Sequence, residues 1–314
     1  MTQPDSTAEA VIAELMGRPL VADPFPLYRR LREIAPVHRE DNGVWYLTRY
    51  SDCERVLRSN DFGHYGLGPR LVGEAGDSRS MRLVALMFSH DDPPEHTRKR
   101  GRVAGVFSPK VIDGYGETVA ALLRGLLEEL AGEDQVDLDE RLSARLPVLV
   151  TCEFLGIPDQ DQDECVQWVE AITSSNQPVV PAALRARADA AADAACSYFA
   201  DLLERRERHP RDDIVSELAR GGIGPMDVEE AVATVVLLMA AGFETTRYTI
   251  SGGLAELAGR PAQWAQARRQ VEEHGRITPD TVEELLRHQG PIHGAIPRLS
   301  RSDQAFGAAV IPAG

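Results

Sequence analysis

Residues 231–239 read "AVATVVLLM", and the apolar run goes on to Phe243 with Thr234 as its one polar interruption. A helix that is apolar on every side must lie inside a core. A chain carrying this run must therefore pack other elements around it. The run over 231–243 is too short for the ~20 residues that cross a bilayer. The chain has 314 residues, 43% of them hydrophobic, which is enough for a sizeable core in one large domain or two ordinary ones.

Directly after the run, "AGFETT" (241–246) places an acid and two threonines behind a glycine. Gly242 costs up to about 1 kcal/mol of helix stability relative to alanine, and in exchange lets another group approach the backbone. The Thr245 hydroxyl can bond the carbonyl four residues back, at Ala241, which bends a helix open. Two readings stay open on these residues alone. In one, a hydroxyl, the Glu244 acid and a freed carbonyl line a groove suited to proton transfer. In the other, the helix leaves the core at Glu244, and Thr245 and Thr246 meet water.

The rest of the chain reads as mainly α with a small β portion. Helical spacing is expected over 24–34, 51–59, 94–106, 111–132, 142–156, 161–174, 182–208, 226–258, 261–273 and 279–288. "VHREDNGVWYLT" reads as a hairpin whose Asn42–Gly43 turn takes positive φ at both positions. Residues 60–80, rich in glycine and polar groups, read as a long loop. Strand and turn are expected near 295–312. "GIPDQD" (156–161) and "GGIGPMD" (221–227) read as helix breaks.

Two further clusters carry charge at helical spacing. In "HDDPPEHTRKRGRV" (90–103), Asp92 is expected to cap a helix with Pro93, Pro94 and Glu95 in its first turn. His96 and Arg100 then share one face, either for a carboxylate or phosphate, or simply for water. In "VEELLRHQGPIHGAIPR" (282–298), Glu284 and Arg287 share a face, with Arg298 beyond them.

Lys plus Arg total 34 against 49 Asp plus Glu, a net charge of −15, which argues against nucleic acid and anionic membrane as partners. "MTQPDSTAEA" has no basic and no apolar signal region, so no signal peptide is expected. Cys53, Cys152, Cys165 and Cys196 show no metal spacing and read as reduced thiols of a cytoplasmic protein.

Taken together and in this order, "DDPPEHTRKR" (91–100), "AGFETT" (241–246) and "EELLR" (283–287) resemble the soluble bacterial class of the cytochrome P450 family. "FSPKVI" (107–112), the hairpin and "IPAG" (311–314) fit the same pattern. The resemblance implies a P450 fold over a single domain spanning 1–314, and haem b as cofactor. It gives Glu244 and Thr245 the delivery of protons during oxygen activation. The haem would lie near Ala241 and Gly242, with His96, Arg100 and Arg298 on its propionates. Glu284 and Arg287 would be structural. Substrate contacts would come from 63–90, 165–185, Leu238, Phe243, Ile292 and Ile296. The family takes a small organic, secondary-metabolite-type substrate and draws electrons through a ferredoxin- or flavodoxin-type partner.

The family holds its iron on a cysteine inside a Phe-x-x-Gly-x-x-x-Cys loop downstream of "IPAG". No cysteine here has that context, so no metal ligand is assigned, and the domain is expected to be incomplete at its C-terminus. An alternative reading is a haem-free, P450-like helper that binds and stabilises a partner biosynthetic enzyme.

Overall fold

Thr7 caps the first helix, α1 (Ala8–Met16), its side chain accepting from the Ala10 amide at 3.3 Å. The structure, a computed structural model, describes residues 7–17, 21, 23–76, 78–175, 180–220, 227–288, 290, 292, 294 and 297–314. The chain divides into two units, Met1–Tyr65 with Ile296–Gly314, and Gly66–Ala295.

In the first unit, α1 packs on α2 (Phe25–Ile34) through Val11, Ile12 and Leu31. Strands β1 (Val37–Arg39) and β2 (Trp45–Leu47) pair antiparallel with Arg39 opposite Trp45. The turn differs from the expected one. Only Gly43 takes positive φ, at 87°, and Glu40 N donates to Val44 O at 2.9 Å. That leaves a three-residue loop ending in a left-handed glycine. Asn42 contributes instead by accepting the Val44 amide at 2.9 Å. Helix α3 (Tyr50–Arg58) follows, then β3 (Phe62–Gly63), which pairs with β4 (Leu299–Ser300). Strands β5 (Gln304–Phe306) and β6 (Ala309–Ile311) form a second hairpin. Arg55 of α3 reaches this hairpin, donating to the Ala305 carbonyl at 2.8 Å and Gln304 Oε1 at 2.6 Å.

The second unit is helical. Its elements are α4 (Leu67–Ala75), α5 (Arg79–Ala85), α6 (Glu95–Ala104), α7 (Pro109–Gly114), α8 (Gly116–Leu130), a π-helical turn at Asp139–Ser143, α9 (Arg145–Leu155), α10 (Gln162–Ser174), α11 (Ala182–Arg208), α12 (Ile214–Ala219), α13 (Val228–Ala258), α14 (Pro261–His274) and α15 (Pro279–His288). The apolar run forms the first half of α13, where Val232, Val235, Val236 and Met239 are all fully buried. Residues of α5, α9, α10, α11 and α12 complete the same core. Burying four such side chains contributes on the order of 6–12 kcal/mol.

Three expectations change here. The stretch 60–80 is not one long loop, since it holds β3 and α4 and leads into α5. Tertiary contact overrides its glycines: a Cβ at Gly68 would lie 3.1 Å from the Ala85 carbonyl, so α4 rests closely on α5 because that position is bare. Helix α5 is held by Ser78, Ser80 and Asp189 of α11; Asp189 Oδ1 accepts from Ser78 Oγ at 2.7 Å and from Ser80 N and Oγ at 2.9 and 2.8 Å. The expected helix at 111–132 is split at Tyr115 into α7 and α8. Asp92 is not the cap of α6; Pro94 is, with no side-chain cap bond, and Asp92 instead accepts the His96 amide through its carbonyl at 3.0 Å. The break at 156–161 is present, with Gly156 at φ 80° ending α9. Most of 221–227 lies outside the described residues.

Among the described residues no helix is long and apolar enough to cross a membrane.

Candidate active site

Helix α13 runs unbroken past the apolar half and changes character at Ala241. Phe243 is 8% exposed and belongs to the core, whereas Ala241, Glu244 and Thr246 are exposed and Thr245 is half-buried. Thr245 Oγ1 donates to the Ala241 carbonyl at 2.7 Å, the back-bond its spacing predicts. Thr249 and Ser251 repeat the pattern onto Thr245 O and Arg247 O, both at 2.8 Å. These bonds coexist with a continuous helix.

Gly242 has a packing explanation that the sequence did not show. A Cβ there would lie 2.5 Å from Thr151 Oγ1, so the group approaching this backbone is a side chain of α9. Five residues after it, Arg247 forms a two-point pair with Asp139 of the π-helical turn, Nε to Oδ1 at 3.2 Å and Nη2 to Oδ2 at 2.5 Å. That hydrogen-bonded pair holds the Asp139 carboxyl below the usual carboxylate range. Thr151, Asp139 and Arg247 were not singled out in the sequence. Arg247 stood beside the motif, but nothing in sequence spacing links it to a residue more than a hundred positions earlier.

Helix α6 sorts its five basic side chains. Arg98 bonds Glu95 and, at 2.7 Å, Glu230 on the first turn of α13. The Glu230 carboxyl is thereby held below its usual range. Lys99, 4% exposed, reaches Asp91 at 2.8 Å and the Leu86 carbonyl at 3.0 Å. Arg102, buried, donates to the Leu218 carbonyl at 3.1 Å. Arg100 is exposed and has no partner among the described residues. His96 makes only an edge contact with Phe88, ring centroids 6.1 Å apart. Among the described residues His96 and Arg100 are therefore the α6 side chains without a hydrogen-bonded partner, and they share a face, which suits an anionic group such as a haem carboxylate.

The remaining expected residues are dispersed. Glu284 and Arg287 form a two-point pair at 2.7 and 2.8 Å on α15, with side chains 62% and 68% exposed. The pair lowers the Glu284 pKa and raises that of Arg287. Leu238 is half-buried against the core, and Ile292 is 67% exposed. Ile296 lies outside the described residues, and Arg298 sits half-buried in the first unit.

None of the four thiols fits an iron-binding thiolate. Burial pushes both Cys152 and Cys165 up to about 12. Burial also raises Cys53 and Cys196, and Cys53 donates to the Leu47 carbonyl at 3.2 Å. No cluster of three metal-ligating side chains occurs among the described residues.

The mostly helical architecture with small sheets, the order of the motifs and the long helix α13 can be set beside known proteins. The family model for cytochrome P450 matches residues 178–314. Cytochrome P450 BJ-3 of Bradyrhizobium diazoefficiens is 32% identical over 314 residues, covering 96% of this chain and 72% of that protein. Mycinamicin IV hydroxylase/epoxidase of Micromonospora griseorubida is 30% identical over 295 residues, covering 91% of this chain and 71% of that protein. The crystal structure of CalO2 superimposes with a TM-score of 0.82 at 25% identity, over 98% of this chain and 74% of that one. The chain belongs to the cytochrome P450 family.

Proposed function

We propose that this chain serves a haem-dependent monooxygenase that inserts one atom of dioxygen into a small organic substrate of secondary-metabolite type. The observation that carries the reading is the exposed Glu244 beside the Thr245–Ala241 bond, on a helix whose Val232, Val235, Val236 and Met239 are fully buried. The family membership supports it, as does the hydroxylase/epoxidase named among the relatives. The reading takes haem b as cofactor, a ferredoxin- or flavodoxin-type electron donor and a cytoplasmic setting.

Haem, when bound through a thiolate, supplies the oxygen chemistry, the thiolate favouring O–O cleavage. Thr245 Oγ1 commits its proton to the Ala241 carbonyl, which leaves the oxygen's lone pairs as acceptors facing outward. Glu244, exposed one residue earlier, exchanges protons with water and can pass one on at the Thr245 oxygen. His96 and Arg100 bind and orient the anionic edge of the cofactor. Leu238, Ile292 and Ile296 are the apolar groups offered to substrate. Phe243 is kept with them as a substrate residue, and Glu284–Arg287 as a structural pair.

The test compares wild type with Thr245→Ala in the haem-loaded protein. Substrate binding should persist, while the share of consumed dioxygen recovered in product falls and the share released as peroxide rises. Unchanged shares would overturn the reading. The rival reading is a haem-free, P450-like helper that binds and stabilises a partner biosynthetic enzyme. Reduction under carbon monoxide separates the two: a full-length protein with the thiolate-type haem spectrum supports the enzyme, and a colourless one supports the helper.

A further inference from the structure

Two contacts bracket the Glu244–Thr246 stretch, and they come from different elements. Thr151 of α9 fills the space over Gly242. Asp139 of the π-helical turn grips Arg247 with two hydrogen bonds. Positions 242 and 247 lie about 7.5 Å apart along an α-helix and about 140° apart around it. Two fixings so placed block both sliding and rotation. The arc they leave free holds Ala241, Glu244, Thr245 and Tyr248, positions spaced i, i+3, i+4 and i+7. Of these, Ala241, Glu244 and Tyr248 are exposed and Thr245 is half-buried; on the pinned arc Phe243 is buried and Thr246 is exposed.

The anchor is itself braced. The Asp139 amide donates to Asp137 Oδ1 at 2.9 Å, and its carbonyl accepts from the Ala144 amide at 2.8 Å, closing the π-helical turn. Single π-turns inside helical structure are enriched at functional sites. The fork geometry requires arginine, because a lysine at 247 could offer only one point of attachment.

We propose that Asp139 is a positioning residue for oxygen activation: through Arg247, and with Thr151 against Gly242, it fixes the rotation of α13 that presents Glu244 and Thr245. The inference rests on the functional reading above. It adds that the presenting geometry is held by a residue about a hundred positions away in sequence. The pair is partly open to water, with side chains 35% and 40% exposed, so its removal loosens the helix without unfolding it.

The experiment uses Asp139→Asn, Arg247→Lys and their combination in the haem-loaded protein, read by backbone amide exchange and by the division of consumed dioxygen between product and peroxide. Each single variant should raise exchange at 243–249 by about two- to fivefold and leave 231–239 unchanged. Each should also raise the peroxide share, and the double variant should add nothing further. Unchanged exchange at 243–249 would overturn the proposal, as would faster exchange with wild-type peroxide release. Thr245→Ala, run alongside, separates the two claims. If it leaves the peroxide share at wild-type level the functional reading fails, while the exchange data still decide whether the clamp exists.

Discussion

Two Arg–carboxylate pairs in the second unit have bonds of similar length and opposite surroundings. Arg206 of α11 donates to Asp213 at 2.8 Å and to the Gly156 carbonyl at 2.6 Å, with both pair members about 5% exposed. Asp213 also caps α12 by accepting the Ser216 amide at 2.7 Å. Arg287 on α15 makes two bonds of 2.7 and 2.8 Å to Glu284, and both side chains are mostly in water. The first pair joins the ends of α9, α11 and α12 and must satisfy itself, because water does not reach it. The second competes with solvent at every bond. Motif reading found the second pair and missed the first. A pair's visibility in sequence reflects its spacing along a helix, not the work its surroundings give it.

The comparison can be broken first at Arg206. Arg206→Ala leaves the Asp213 charge buried without its partner and should cost about 3–5 kcal/mol in denaturant unfolding. Gly156→Ala should fail similarly, because the residue sits at φ 80° and an added Cβ would fall on the Asp213 carboxylate. A loss under 1 kcal/mol in both variants would remove the distinction.

The Arg98–Glu230 pair, with side chains 29% and 17% exposed, should fall between the extremes. Glu230→Gln is expected to cost about 1–2 kcal/mol at neutral pH. The Glu230 pKa is depressed in the fold, chiefly by the Arg98 hydrogen bond. Its contribution is therefore complete above the ordinary carboxylate range and lost as pH falls through the lower folded value. The wild-type advantage over Glu230→Gln should shrink below about pH 4, and an advantage that grew on acidification would refute the assignment. Smallest of all, Glu284→Gln in this chain should leave the unfolding midpoint where it was. A clear drop would mean the α15 pair carries load despite its exposure.

Helix periodicity made most of the α elements legible. The expected spans 182–208 and 279–288 coincide with α11 and α15 because each is framed by proline at its start or by a clear change of composition. Helix α1 was missed although Thr7 and the Val11–Ile12–Leu15 spacing could have signalled it. The split at Tyr115 and the helix at 67–75 were not legible. The first turns on a local change of direction, and the second on Gly68 fitting under Ala85, a contact visible only in three dimensions. At the site, the Thr245–Ala241 bond followed from spacing four apart, whereas Thr151 and Asp139 lie far from α13 in sequence.

The sorting of charges on α6 also bears on ionic strength. Arg98 and Lys99 already have carboxylate partners and Arg102 is buried against the Leu218 carbonyl, so an outside anion reaches none of them freely. Among the described residues of α6, Arg100 and the His96 ring are left without such a partner. A helix with five basic groups should therefore answer a salt titration like a site of one or two charges, and an anion docking there need not displace any existing pair.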